Sequence, residues 1–172
     1  MSNSAKYVWT ALLLAVAVHL TLIFAAPYVL MGKAMERIGV DGTNMWHVAD
    51  RVTAESRRIV RPAPDFAYSA CVFDLSDGPI RLRVAPWDSY WSLSLYADNS
   101  DNFFVIDDRE VEYDAEIVLT RGAQEAPENV TAVASPSTRG IALIRRLAPD
   151  PGRYAAAAAA ARGDVCAPLT AD

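Results

Sequence analysis

With 172 residues, and 21 acidic against 16 basic side chains, the chain carries a net charge of −5 and has a pI near 5.0. That balance argues against a nucleic-acid partner, which selects a basic face or stripe. The mean hydropathy of +0.11 does not describe a wholly membranous chain, because only one long uncharged run exists and charges are interspersed everywhere after it. Arg far outnumbers Lys and Ala is abundant, a usage that points to a GC-rich bacterial genome.

No charged side chain occurs between Lys6 and Lys33. At about 1.5 Å per residue, a helix over residues 7–32 exceeds the roughly 30 Å that a bilayer core demands, so one tilted spanning helix is expected. Secretory h-regions are shorter, about 7–15 residues, although Ala25 and Ala26 offer a small-residue cleavage site and keep processing open. Tyr7, Trp9 and Tyr28 fall where an interfacial aromatic belt would place them. His19 lies mid-span, where packing against a neighbour explains it better than a proton path. Pro27 marks the exit from the bilayer.

Orientation signals conflict. Lys33 and Arg37 after the span slightly favour a cytoplasmic body by the positive-inside count. Against this, the two cysteines, Cys71 and Cys166, are far apart and in no metal-type spacing, which suits a disulfide in an oxidising compartment. Two unrelated buried thiols are the alternative. The expected localisation is a single-pass bacterial inner-membrane protein with a periplasmic domain.

Residues 33–60 read as a helical connector. Thr43 or Asn44 can cap a helix on which Met45, Val48, Ala49 and Val52 share one face, with Arg57, Arg58 and Arg61 at its basic end. Pro62 and Pro64 then break it. A β domain over residues 61–149 follows, as short apolar or β-branched runs at 66–75, 80–85, 90–97, 103–106, 115–120, 130–134 and 140–147, separated by turn residues. Asp77-Gly78-Pro79 supplies one turn. Ile80, Leu82 and Val84 alternate with Arg81 and Arg83, and Trp91, Leu93 and Leu95 share a side. The fold class expected is all-β, an antiparallel sandwich or partly closed barrel. The tail, residues 150–172, should hold a short helix, with Asp150 as cap, Pro151 at the first position, an alanine run, and Gly163 in a left-handed C′ conformation. So short a helix needs something to pin it, and a Cys71–Cys166 bond would do so.

The richest polar cluster is Asp98, Asn99, Ser100, Asp101 and Asn102, with Asp107 and Asp108 just beyond. Its hard oxygens make it a candidate ligand or metal loop, but it lacks the glycine and terminal glutamate of an EF-hand, and turn chemistry is the simpler account. No cofactor is expected. Ser69, Ser92, Ser94 and Ser135 have no G-x-S-x-G setting, and His47 would have to act as any general base. The apolar neighbours of Cys71 disfavour a thiolate. Trp87, Tyr90, Trp91, Tyr96, Phe103 and Phe104 are explained by core packing before any pocket.

Several linked motifs, Arg61-Pro62-Ala63-Pro64-Asp65-Phe66-Ala67-Tyr68-Ser69, Phe73-Asp74-Leu75-Ser76-Asp77-Gly78-Pro79, Tyr90-Trp91-Ser92-Leu93-Ser94-Leu95-Tyr96 and residues 98–104, resemble the domain of unknown function 1254 over about residues 44–147. The resemblance implies an all-β sandwich and no established activity or catalytic residue. Longer members join this domain to a second β domain, the domain of unknown function 1214, which is not found here. The reading is therefore a bilayer-anchored domain, residues 1–32 being the anchor, that binds a ligand or a partner, a second β-domain membrane protein being the candidate. The competing reading is a metal-assisted hydrolase using the acidic loop 98–108.

Overall fold

The computed structural model describes residues 2–56, 61–111, 115–122 and 130–169. Helix α1 (Asn3–Ile38) begins at Ser2, whose hydroxyl accepts the Ala5 N–H, and runs through Pro27 without interruption. It has an 18-residue window of mean hydropathy 2.3, none of it buried, and so is long and apolar enough to cross a membrane. A 3-10 turn (Gly39–Asp41) ends it.

Among the described residues nine strands follow: β1 (Trp46–Val48), β2 (Phe66–Asp74), β3 (Ile80–Val84), β4 (Trp91–Ala97), β5 (Asn102–Asp107), β6 (Ala115–Arg121), β7 (Thr131–Ser135), β8 (Arg139–Leu147) and β9 (Val165–Pro168). Helix α2 (Pro151–Ala160) lies between β8 and β9. The strands form two sheets, ordered β1-β2-β8-β4-β5 and β7-β6-β3-β9. Every pairing is antiparallel except β6 with β7, which is parallel. With its two helices and this mixed sheet the molecule is not the purely antiparallel all-β domain that the run spacing suggests. The strand positions match the expected runs closely, because period-two alternation fixes which face of each strand is buried.

The sheets share one core. Cys71, Phe73, Leu93, Leu95, Ala142 and Ile144 of the first pack with Ile80, Leu82, Val84, Ile117 and Leu119 of the second. The first sheet is also covered on its outer face. Met31 of α1 is buried against Val72 and Ile141, with Ala34, Met35 and Ile38 beside them, so the last turns of α1 are part of the folded body. Gly140 lets β8 run close to its neighbours, since a Cβ there would meet the Phe73 ring at 2.5 Å and also the Tyr96 carbonyl.

The amphipathic helix expected from Asn44 is not formed. Asn44 instead takes a left-handed φ of 55°, and its side chain imitates a strand partner: Nδ2 donates to the Asp74 carbonyl at 2.9 Å, and Oδ1 accepts the Asp74 N–H at 2.8 Å. This lays β1 on the edge of β2, in register Trp46 to Cys71, and sends the Trp46 ring towards the core. Pairing with an available sheet edge thus overrides the helical spacing of Met45, Val48, Ala49 and Val52. Arg57 and Arg58 lie outside the described residues.

The C-terminal helix is capped as expected, Asp150 accepting the Arg153 N–H at 2.9 Å. Its end differs. Gly163 is not left-handed; the chain tightens into a 3-10 turn (Ala161–Gly163) and goes directly into β9. Four contacts pin α2: Ala157 buried against Ala67 and Ala148, Arg153 paired with Asp88 at 2.7 Å and stacked over Trp87 at 4.3 Å, the Tyr154 hydroxyl donating to the Ala49 carbonyl, and the disulfide just beyond.

At the β2–β3 turn, Asp74 accepts from the Ser76 hydroxyl at 2.6 Å and the Ser76 N–H at 2.9 Å, and pairs with Arg139 at 3.2 Å. The Ser76 hydroxyl first, then the Ser76 amide and the Arg139 charge, hold this carboxyl below its ordinary value of 3.8 against an opposing desolvation. A depressed folded pKa adds stability above the unfolded value and loses it as pH falls through the folded one. Asp74→Asn should therefore be less stable than the parent at pH 6, and the gap should shrink below about pH 4, as read from denaturation midpoints across pH.

Candidate functional site

The acidic loop is a turn. Ser100 takes a left-handed φ of 71°, and Asn99 and Asp101 bond each other, Asn99 Nδ2 donating to Asp101 and the Asp101 N–H donating to Asn99 Oδ1 at 3.1 Å. The Asn102 amide donates to the Leu95 carbonyl at 3.3 Å. The Asp98 N–H donates to Ser137 at 3.2 Å. Asp107 closes a second turn by accepting the Arg109 N–H at 2.9 Å. The oxygens of Asn99, Asp101 and Asp107 thus satisfy nearby amides, as Asx side chains do in loops. Among the described residues no group of three or more His, Cys, Asp or Glu side chains is placed to hold a metal ion. His47, the one histidine of the β domain, has its Nε2 3.4 Å from the Gly42 carbonyl and its Nδ1 3.9 Å from Asp41, with no serine or cysteine nucleophile bonded to it among the described residues.

The chemistry with the highest internal stakes lies elsewhere. Arg146 falls on the inward register of β8, with Ala142 and Ile144, and is buried. Its guanidinium meets Asp164 through two bonds, Nη1 at 2.9 Å and Nη2 at 2.6 Å, and Nη2 also donates to the Ala85 carbonyl at 3.2 Å. Asp164 in turn accepts the Ala85 N–H at 2.8 Å. The pair ties β8 of the first sheet to the end of β3 and the start of β9 in the second. Two residues on, Cys166 is bonded to Cys71, with the Cα atoms 6.7 Å apart. The segment 164–166 is thus clamped to the first sheet twice, once by charge and once covalently.

These clamps back a cleft of about 440 Å³ on the side of the molecule where β1 and β9 are the edge strands. Met45, Trp46 and Val48 line one wall, and Arg162, Asp164 and Val165 the other. Among the described residues the buried indole N–H of Trp46 has no acceptor, and Asp164 is engaged with Arg146; Arg162 adds a basic side chain to the lining. An apolar wall beside a basic side chain suits an extended apolar segment or small molecule with an anionic group. Sequence reading finds neither the cleft nor the ion pair. Its one usable signal is an arginine at a core position of an apolar strand, which demands a buried carboxylate.

A helix of membrane-spanning length whose last turns pack onto a two-sheet, disulfide-clamped β domain defines the class of protein. More narrowly, the chain belongs to the family described as protein of unknown function (DUF1254), whose model matches residues 43–168. No functionally curated protein matches the chain significantly. Among solved structures, the VPA0106 protein of Vibrio parahaemolyticus is similar with a TM-score of 0.65 at 13% identity, over 84% of this chain and 36% of that one. An uncharacterised protein of Burkholderia cenocepacia aligns with a TM-score of 0.47 at 18% identity, over 85% of this chain and 39% of that one. The chain therefore spans little more than a third of the length of these solved relatives.

Proposed function

We propose that the chain is a single-pass protein of a bacterial inner membrane, whose β domain stands on the oxidising, periplasmic face and binds a partner chain or ligand. The observation that carries this reading is the docking of α1 onto Val72 and Ile141, which makes the membrane helix and the domain one body. The Cys71–Cys166 bond supports the oxidising side. The open cleft between β1 and β9 supports a binding role, and a separate domain of unknown function 1214 chain in the same membrane is the candidate partner.

Purification of the full chain from its native membranes in mild detergent is the test. A second β-domain protein recovered in stoichiometric amount is the expected result. Recovery of the chain alone, after cross-linking as well as without it, would remove the partner reading.

A further inference from the structure

We infer that the outer edge of β5 rests on the bilayer surface, so that zwitterionic lipid headgroups cover one edge of the first sheet while β1 stands clear of the membrane. The inference rests on α1 being a membrane span.

Three contacts give the direction in which α1 crosses the sheet. At Pro27 the helix meets the β4–β5 turn, the Ser100 hydroxyl donating to the Pro27 carbonyl at 3.0 Å. At Met31 it is buried in a cluster with Ile141 of β8 and Val72 of β2, which stand opposite each other in register, with Tyr96 of β4 opposite Ile141 on the far side. At Gly39 it has reached the Val72 side chain, 3.4 Å from where a glycine Cβ would stand. The helix therefore passes from the β4–β5 turn over β4 and β8 to β2, crossing the strands.

A span that begins at Tyr7 uses about 20 residues to cross roughly 30 Å of hydrocarbon, which brings Pro27 to the boundary. Ser100 is then at the headgroups, and the strands stack away from the membrane in the order β5, β4, β8, β2, β1. At about 4.8 Å per strand, β1 stands some 19 Å further out than β5. Among the described residues β5 has no partner on its outer side. Its run Phe103-Phe104-Val105-Ile106 is apolar; Phe103, Phe104 and Ile106 pack against the core, and Val105 is 48% exposed. An unprotected apolar edge is a hazard in water, and seating it against a lipid interface removes that hazard. Asp98 and Asp101 at the turn stay hydrated among the headgroups, which is why the matching surface is zwitterionic and not anionic.

Val48 on β1 is 45% exposed, nearly equal to Val105, on the opposite edge of the same sheet, and so provides an internal reference. The experiment is nitroxide labelling of the full chain, disulfide intact, as Val16→Cys, Val48→Cys and Val105→Cys in phosphatidylcholine proteoliposomes, reading collisions with oxygen and with a water-soluble nickel chelate. Val16 should report lipid, Val48 should report water, and Val105 should lose most of the nickel collisions that Val48 shows while gaining oxygen collisions. Nickel access at Val105 equal to that at Val48 would overturn the inference and leave the span intact. Shielding of Val105 from both colliders would mean that protein covers the edge, which also overturns it. Nickel access at Val16 would overturn the span itself and the inference with it.

Discussion

Asp164→Asn should cost the domain about 3–5 kcal/mol, because it strands a charged guanidinium inside the protein. The Arg146 side chain is 2% exposed, and beside Asp164 its acceptor among the described residues is the Ala85 carbonyl. Asp164 also supplies the acceptor for the Ala85 N–H, so the substitution disturbs two buried donors. Urea denaturation of the full chain in mild detergent, followed by tryptophan fluorescence, measures the loss, since Trp91 is buried and Trp46 and Trp87 pack against the core. The double substitution Arg146→Met with Asp164→Leu separates charge from packing. Replacing both members by apolar groups removes the stranded charge, so the double variant should recover that part of the loss while the Ala85 N–H and carbonyl stay unpaired. A double variant as unstable as the single one would show that the pair acts through shape and not through charge.

Removing the disulfide by Cys71→Ala with Cys166→Ala should cost about 4–5 kcal/mol, since the bond closes a loop of 95 residues and its main effect is to restrict the unfolded chain. The loss has a local signature as well. β9 has four residues, ends in Pro168, and among the described residues pairs with β3 alone. Without its covalent tie, the segment after α2 keeps the Asp164–Arg146 pair as its ionic link to the first sheet. Limited proteolysis should therefore cut first after residue 163, and the same cut should appear when the parent is reduced. Because both clamps act on residues 164–166, Asp164→Asn in the cysteine-free background should show an effect that departs from simple addition by more than about 0.5 kcal/mol. Additive losses would mean that the two clamps work independently.

The residues that announced themselves in the sequence are those whose burial repeats locally. Ile80, Leu82 and Val84 bury every second side chain and Asp77-Gly78-Pro79 turns the chain, so β3 is readable without any partner. Asp150 and Pro151 announce α2 in the same way. What stayed hidden depends on distant segments. β1 has three residues, and its apolar neighbours happen to fall at helical spacing; only the unoccupied edge of β2 and the side chain of Asn44 make it a strand. The parallel pairing of β6 with β7 leaves no mark in either run, because alternation records the buried face and not the direction of the neighbour. Within residues 98–108 the side-chain oxygens of Asn99, Asp101 and Asp107 accept from turn neighbours. Arg146 and Asp164, which hold the two layers together, are 18 positions apart and share no motif.

The burial of Met31 has a practical corollary. The stem cannot be shed cleanly from the body. A protease that clipped the chain after Ile38, or an expression plasmid that began there, would leave Val72 and Ile141 bare to solvent and turn the covered side of the first sheet into a sticky plate. Detachment and loss of solubility are then a single event.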